Sequence, residues 1–257
     1  MEKVPKLDKE VFSMLNQVRQ DPKSFIPYLE KVLQSLDGDV LKRENKTNIR
    51  TNEGAKAVRE AIDYLNKAEK CQALKWNEDL AKCCREHVDD TGPKGLMQHE
   101  SSKGATVKER ISQHGKIIHC YGENLSFHCD EAHEVLEQLI IDDGVMERGH
   151  RENIFNKEFK LFGCYSGPHK DFDWMSCLQF VGGIVKKGDP DPIEQQMEAY
   201  LRETVDIEMP PDVRSWKQNT KVHVKGNVAS KTITRTCILK DGSEKVITKT
   251  LNQEFTF

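Results

Sequence analysis

Residues 121–125 read Tyr-Gly-Glu-Asn-Leu and lie at the centre of the stretch, residues 99–151, that decides the fold of this chain. A histidine stands near each end of the stretch, at His99 and at His150. Between the pentapeptide and His150, apolar residues recur at the spacing of one face of an amphipathic helix. These apolar residues are Ala132, Val135, Leu136, Leu139 and Ile140. We expect the fold to bring both imidazole rings into one polar cleft, facing the carboxylate of Glu123.

The composition indicates a polar, water-soluble protein that is long enough for a sizeable core. The chain has 257 residues, 37% of them hydrophobic and 32% charged, and no apolar run approaches the roughly 20 residues of a membrane-spanning helix. A net charge of -3 argues against nucleic acid or an anionic membrane as a partner. Residues 1–6 lack the apolar segment of a signal peptide, so, if Met1 is the true start, we expect a cytoplasmic protein.

The eight cysteines indicate neither a zinc ribbon nor a redox motif, because none of them forms a Cys-x-x-Cys pair. In a reducing cytoplasm we expect free, buried thiols that pack as small hydrophobic residues. An exported protein with disulfide bonds is the alternative.

Four helices are predicted before the central stretch from apolar spacing and capping residues. Asp8 is expected to cap the first helix, which ends near Asp21-Pro22 because a residue before proline leaves helical geometry. Asn52 and Asn77 are expected to cap the third and fourth helices.

The remaining segments of the main domain predict loops and a pair of strands. Residues 42–52 and 90–119 are polar and predict loops, the second with a short helix around residues 107–112. Two apolar runs, residues 161–165 and 174–181, predict antiparallel strands.

The composition changes near residue 187, which predicts a domain of residues 1–187 and an extension of residues 188–257. A linker and a short helix over residues 193–202 open the extension. Runs of Thr, Ile and Val then flank Asp241-Gly242, a strong signal for a β-hairpin. An isolated hairpin is marginal in water, so we expect this one to pack on the main domain or on a partner.

Four motifs occur in order along the chain. They are Leu-Asn-Gln-Val-Arg at residues 15–19, His99 with Arg110, Gly-Glu-Asn-Leu at residues 122–125 and Gly-His-Arg-Glu-Asn-Ile at residues 149–154. With these motifs the sequence resembles the CAP superfamily of cysteine-rich secretory proteins, venom allergens and pathogenesis-related proteins, and most closely its intracellular or bacterial-type branch. The resemblance implies an α+β fold, a three-layer α-β-α sandwich around an antiparallel sheet, to which this chain adds the C-terminal β-hairpin.

The resemblance also implies a cleft lined by two histidines and two acids. By position, His99 and His150 match the histidines, and Glu123 matches the acid of the Gly-Glu-Asn motif. The second acid falls at the end of the central helix, where we assign Asp142. The tryptophan that is usual in this region is replaced near Leu139.

Neutral imidazoles suit a divalent transition metal such as zinc, and an ion held by His99 and His150 leaves coordination positions open for water. Glu123 either orients a ligand histidine or accepts a proton from bound water. The alternative is a purely structural hydrogen-bond network that holds loops onto the sheet. Asn124 is expected to bridge loops beside the cleft, and Arg151 to form a salt bridge.

Three functions remain open. We favour a non-enzymatic CAP-domain protein that binds a protein partner or a small ligand through its histidine and glutamate cleft and its C-terminal extension, within a larger cytoplasmic or cytoskeletal assembly. The second is a metal-dependent hydrolase that activates water between His99, His150 and Glu123. The third is a lipid- or sterol-binding protein, as the resemblance suggests for some members.

Overall fold

The computed structural model describes residues 5–225 and 228–255. Contacts within the chain divide it into two units, residues 1–187 and residues 188–257. Residues 1–4, on which the signal-peptide prediction partly rests, lie outside the described residues. No helix in the described ranges is long and apolar enough to cross a membrane.

The first unit combines α-helices with short and long strands. The helices are α1 (Lys6–Gln20), α2 (Ile26–Gln34), α3 (Ala55–Lys67), α4 (Glu78–Thr91), α5 (Val107–Ser112), α6 (Ala132–Ile141) and α7 (Gly149–Phe155). The strands are β1 (Leu36–Asp37), β2 (Val40–Leu41), β3 (Ile49–Arg50), β4 (Lys75–Trp76), β5 (Lys116–Phe127), β6 (Leu161–His169) and β7 (Asp173–Val185). The helix expected around residues 107–112 is α5, and α6 carries the predicted apolar stripe on its buried face.

Four strands form the central sheet in the order β4-β6-β7-β5. β6 and β7 pair antiparallel from Leu161 opposite Val181 to His169 opposite Asp173, as the two apolar runs predicted. β5 pairs antiparallel with the other side of β7, and β4 adds a short parallel pair beside β6. The strand with the Gly-Glu-Asn-Leu motif, β5, is therefore an edge of this sheet.

The side chains of β7 alternate between two apolar cores. Leu178 and Phe180 are buried in the core that contains residues of α1, α2, α3 and α6. The alternate residues Cys177 and Val181 point to the opposite face, where α4 covers the sheet. The first unit is thus the expected three-layer α-β-α sandwich, and its sheet is antiparallel except for the short β4.

The start of α4 agrees with the sequence prediction, and the start of α3 does not. The side-chain oxygen of Asn77 accepts the N–H of Leu80 at 3.0 Å and caps α4. α3 instead begins after Gly54, whose φ of 57° suits glycine. The predicted cap Asn52 lies earlier in the turn and donates its backbone N–H to Asp143 Oδ2 at 2.6 Å.

Asp8 does not cap α1 as predicted, because Pro5 precedes the helix and Asp8 lies inside the first turn. Its side chain is fully buried, and neither carboxylate oxygen has a hydrogen-bond partner among the described residues. The hydroxyl group of nearby Ser166 is engaged with that of Ser176 at 2.8 Å. Burial raises the pKa of Asp8 from 3.8 to about 7, because a buried carboxylate loses its hydration.

The Leu-Asn-Gln-Val-Arg motif of α1 holds distant segments together. Asn16 forms two hydrogen bonds with the backbone of Leu74, at 3.0 Å and 2.7 Å. Arg19 is fully buried and donates to the carbonyl oxygens of Ile154 and Asn156. These bonds anchor the segment before β4 and the end of α7, so a motif near the N-terminus positions the helix that follows the central stretch.

The predicted loop over residues 90–119 ends early, because β5 begins at Lys116. The pairing of β5 with β7 shifts register between Ile118 and Tyr121, where His119 has a φ of 66°. Such a bulge adds a residue to one strand and breaks the two-residue alternation by which a strand is recognised in a sequence.

The predicted loop over residues 42–52 also differs, since Ile49–Arg50 forms β3 of a small sheet with β1 and β2. Strands of two residues are too short to leave a periodic pattern. Arg43 and Lys46 in this segment form ion pairs with Glu134 of α6 at 2.7 Å and 2.8 Å. These pairs attach the small sheet to the central helix.

All eight cysteines are free thiols, as favoured from the sequence. Seven are buried, and Cys120 is partly exposed. Burial raises the pKa of Cys83, Cys84 and Cys129 to about 12, so these thiols stay protonated and pack as apolar side chains.

The second unit contains α8 (Pro192–Arg202), β8 (Val213–Lys225), β9 (Val228–Leu239) and β10 (Glu244–Glu254). β9 and β10 form the predicted hairpin, and Gly242 takes the positive φ, 84°, that the turn needs. The sheet nevertheless has three antiparallel strands in the order β10-β9-β8. β8 was missed because its side chains are exposed on both faces and show no apolar alternation.

One face of this second sheet packs on α8. Tyr200, Ala229 and Phe255 form its buried cluster. Lys231 is buried beside them, and its Nζ atom donates to the carbonyl oxygens of Tyr200 and Leu201 at 3.3 Å and 2.9 Å. Carbonyl groups at a helix C-terminus lack helical partners and attract cations, so Lys231 fixes the end of α8 on the sheet.

Replacing Asp8 with Asn is expected to stabilise the protein above pH 7. Because the pKa of Asp8 is raised by folding, its favourable contribution is complete below the unfolded value of 3.8 and is lost as the pH rises through about 7. Urea unfolding should show a gain for Asp8→Asn of up to about 4 kcal/mol near pH 8 and little difference near pH 4. The exposed Asp63→Asn on α3 is the matched control, and an equal gain there would contradict the prediction.

Candidate functional site

Glu123 and Asn124 are neighbours on β5 and therefore point to opposite faces of the central sheet. Glu123 contacts Arg110 of α5 on one face. Asn124 contacts the backbone of His150 in α7 on the other. The Gly-Glu-Asn motif thus reaches both sides of the sheet, and each of its polar residues fixes a different segment that carries a histidine.

Four side chains hold the carboxylate of Glu123, and the weakest donor among them is the thiol of Cys177, 3.4 Å from Oε2. Arg110 Nη2 donates to Oε1 and Oε2 at 2.7 Å and 2.5 Å, and Gln179 Nε2 donates to Oε2 at 2.9 Å. The Nδ1 atom of His99 lies 2.9 Å from Oε1. Arg110 also donates to the carbonyl oxygen of His99 at 2.8 Å. Together, the arginine and the carboxylate fix both the backbone and the ring of His99.

These partners keep Glu123 ionised. Its side chain is only 1% exposed, and burial by itself would raise its pKa. The hydrogen bond with His99 and the charge of Arg110 outweigh burial and lower the pKa of Glu123 to about 2. A carboxylate with this pKa orients hydrogen-bond donors well and accepts a proton poorly.

On the other face of the sheet, Asn124 holds the start of α7. Its Nδ2 atom donates to the carbonyl oxygen of His150 at 2.9 Å, and its Oδ1 atom accepts from Asn153 Nδ2 at 2.8 Å. Gly122 leaves room for this contact, because a Cβ atom there would lie 2.7 Å from Asn153 Oδ1. The glycine of the motif therefore allows the close approach of β5 and α7.

Asp142 is the acid that holds His150. It follows the last residue of α6 with a φ of 55°. Its Oδ1 atom lies 2.6 Å from His150 Nδ1, and its Oδ2 atom accepts the backbone N–H of His150 at 2.9 Å. The expectation that both rings face Glu123 is wrong, because each imidazole has its own carboxylate, Glu123 for His99 and Asp142 for His150.

Two arginines anchor the turn between α6 and α7 to α3 and to the segment before it. Arg148 donates to Glu53 and Glu60 at 2.6 Å and 2.7 Å. Arg151 forms a salt bridge with Glu60 at 2.9 Å and donates to the carbonyl oxygen of Ile140 at 2.6 Å. Because both guanidinium groups are occupied by protein acceptors, they position the start of α7.

His99, Asp142 and His150 line one cavity of 870 Å³. Glu123 and Asn124 are buried and are not among the residues that line it. Of the five predicted site residues, three therefore line the cavity. The other two, Glu123 and Asn124, hold the segments that carry the histidines.

The remaining lining of the cavity mixes apolar and polar side chains, and the helices contribute both kinds. Its apolar residues include Val32, Leu36, Leu41, Val58, Leu139 and Ile141. Many of the polar ones belong to residues 42–52, which form much of the lining opposite α6. Apolar side chains beside fixed polar groups are a common combination in small-molecule sites.

Each ring uses its Nδ1 atom for a carboxylate, so the Nε2 atoms are the ring nitrogens left for a ligand. An imidazole that binds a metal is commonly held in this way by an acid at its other nitrogen. Within residues 5–225 and 228–255, no group of three or more His, Cys, Asp or Glu side chains is placed to hold a metal ion. A metal held by His99 and His150 would take its other ligands from water or a bound molecule.

Sequence reasoning missed Gln179 and the lining segment before α3. Gln179 is fully buried within the apolar strand β7. A large polar side chain inside such a run is the available signal, because a buried amide needs hydrogen-bond partners. Residues 42–52 read only as a polar loop, and their spacing contains no signal that they line a cavity.

Replacing Glu123 with Gln is expected to destabilise the protein by about 3–5 kcal/mol at neutral pH, because Arg110 then keeps a buried charge without its counterion. Folding lowers the pKa of Glu123, so its contribution is present above the unfolded value of 4.5 and is lost as the pH falls through about 2. Urea unfolding at neutral and acidic pH measures both effects. The double variant Glu123→Gln/Arg110→Met should recover part of the loss, and a single variant as stable as the wild type would refute the prediction.

A family profile and a set of solved structures relate the chain to known proteins. The profile of the cysteine-rich secretory protein family, CAP, matches residues 12–179. No curated protein matches the chain. Among solved structures, an outer surface protein from Borrelia burgdorferi is 20% identical over 50% of this chain and 86% of its own, with a TM-score of 0.38. An extracellular protein with an SCP domain from Bacillus anthracis is 19% identical over 48% of this chain and 38% of its own, with a TM-score of 0.35. NaASP2, solved with Zn²⁺, is 13% identical over 72% and 88%, with a TM-score of 0.36.

The family match covers more than half of the chain and contains both histidines and both acids of the cleft. The resemblance that four motifs suggested is thereby confirmed. The chain belongs to the cysteine-rich secretory protein (CAP) family.

Proposed function

We propose that this CAP-domain protein is a non-enzymatic binding protein that holds a small ligand in its cleft. One observation carries the proposal: two imidazole rings, each oriented by its own carboxylate, line the same cavity of 870 Å³. The rings of His99 and His150 are held before a ligand arrives. Groups that are already in place lose little conformational entropy on binding, which favours affinity.

The bonding of Glu123 supports binding over hydrolysis. The alternative hydrolase needs Glu123 to take a proton from water held near His99 and His150. The Glu123 carboxylate already accepts hydrogen bonds from Arg110 and Gln179, and its pKa of about 2 makes it a weak base at neutral pH. We therefore assign no catalytic residue.

A divalent transition metal such as zinc is proposed as one occupant of the histidine pair. His99 and His150 supply two of the ligands that a metal ion needs. An acid holds the Nδ1 atom of each ring, and the Nε2 atom of each ring remains for the metal. Two protein ligands leave several coordination positions to water or to the ligand. Such an ion would supply a positive charge that attracts an anionic or carbonyl group to the cavity.

Titration calorimetry with zinc chloride on chelator-treated protein tests the metal. We expect one ion per wild-type chain, at least about ten-fold weaker binding by His99→Ala or His150→Ala, and loss of the site in the double variant. The exposed His119→Ala is the matched control and should bind as the wild type does. Wild-type affinity in the double variant would eliminate a metal on these rings.

A lipid or sterol is the second candidate ligand, and the apolar lining of the cavity favours it. Leu41 lies half-buried in this lining, and burial of a leucine side chain against a ligand contributes about 1.5–3 kcal/mol. Binding of the fluorescent sterol dehydroergosterol should therefore weaken about ten-fold or more in Leu41→Gln. Leu201→Gln on α8 is the matched control, and equal sterol binding by all three proteins would refute this candidate.

A protein partner is proposed for the C-terminal extension, on the strength of its exposed strands. A cytoplasmic location and a cytoskeletal assembly stay predictions from the sequence.

A further inference from the structure

β8 is an edge strand of the second sheet, and its outer side pairs with no strand of the described residues. It runs over 13 residues, and every side chain from Arg214 to Lys225 is exposed. An uncovered edge of this length presents a row of backbone N–H and C=O groups to another extended chain. The edge is therefore available for strand addition.

One face of β8 is basic. Lys217, Lys221 and Lys225 recur at every fourth position and lie on the same face of the sheet. With Arg214, they give β8 four basic residues and no acidic one. Electrostatic complementarity therefore selects an acidic partner.

The other face of β8 carries exposed apolar side chains. Trp216, Val222 and Val224 are 52%, 44% and 43% exposed. The guanidinium carbon of Arg235 lies 4.9 Å from the centre of the Trp216 ring and holds it against the sheet. A new strand that places apolar residues on this face would bury these side chains.

We propose that β8 binds, by strand addition, an extended segment of a partner protein in which acidic and apolar residues alternate. The acids of that segment face Lys217, Lys221 and Lys225, and its apolar residues cover Trp216 and the neighbouring valines. The inference deepens the partner-binding part of the proposed function and rests on it, because it names the surface and the chemistry of the partner.

Other occupants fit this edge less well. Antiparallel pairing with a second copy of β8 brings together two strands that each carry four basic residues and no acidic one, and this like charge opposes the pairing. An anionic membrane or a nucleic acid would attract the lysines by charge. Neither of them would use the unpaired backbone N–H and C=O groups of β8. The opposite edge, β10, has two acids and two bases and so selects no charge.

Fluorescence anisotropy on the full-length protein tests the proposal with a labelled synthetic peptide of alternating Glu and Val at neutral pH. We expect saturable binding of this peptide and none of a peptide of alternating Lys and Val. A third peptide, in which prolines interrupt the Glu-Val sequence, keeps the acidic charge and loses backbone donors, so it should not bind.

Two double variants show whether β8 is the site. Lys217→Glu/Lys221→Glu should weaken binding of the Glu-Val peptide by about ten-fold or more and allow binding of the Lys-Val peptide. Lys245→Glu/Lys249→Glu makes the same change of charge on β10 and should stay within about two-fold of the wild type. Circular dichroism checks that both variants fold.

If the proline-containing peptide binds as tightly as the Glu-Val peptide, the interaction is general charge attraction and strand addition is overturned. The same holds if both double variants lose affinity for the Glu-Val peptide to the same extent. Binding to phosphatidylserine vesicles without binding to the Glu-Val peptide would overturn it in favour of a membrane. His99→Ala/His150→Ala separates this surface from the cleft, since it should bind the peptide as the wild type does. Failure of the zinc and sterol experiments therefore leaves the result on β8 unchanged.

Discussion

The buried pair of Glu123 and Arg110 is the interaction on which the cleft depends. The two side chains are 1% and 7% exposed, and moving two charges out of water is unfavourable unless they meet with good geometry. Contacts of 2.5 Å and 2.7 Å meet that condition. Two further nitrogens of Arg110 have no hydrogen-bond partner in the described part of the chain, so this carboxylate supplies most of the compensation. The pair joins α5 to β5, and both of its members also contact His99.

The alternation of side chains along β5 explains how one strand organises both halves of the cleft. Glu123 holds the ring of His99 from one face of the sheet, and Asn124 holds the backbone of His150 from the other. His99 and His150 line the same cavity, so that both faces of the strand contribute to one site. Asp142 then orients the second ring within its own turn. The short Glu-Asn sequence therefore couples the loop that carries His99 to the helix that carries His150.

The sequence predicts those features that are local or that recur with a regular period. The stripe of α6, the short helix α5, the cap at Asn77 and the turn at Gly242 each depend on a few neighbouring residues, and all are present. The pairing of each imidazole with a particular acid depends on contacts between distant segments, which spacing does not contain. The bulge at His119 disrupts the period of β5, and β8 has no buried face that would create one. The expected cap at Asp8 is absent because α1 already begins at Lys6, which places Asp8 inside the first turn and buried against the rest of the domain.

The bonds that orient the rings also determine what chemistry remains for the cleft. Glu123 accepts hydrogen bonds with both oxygens, and Asp142 uses one oxygen for the ring of His150 and the other for its backbone. Both acids are thus engaged in orienting protein groups, whereas each ring keeps one nitrogen for a ligand. A general base needs a pKa near the working pH, and stronger orientation of His99 by Glu123 moves the pKa of that acid further away. Orientation and base catalysis are therefore in conflict at this site, and the geometry favours orientation.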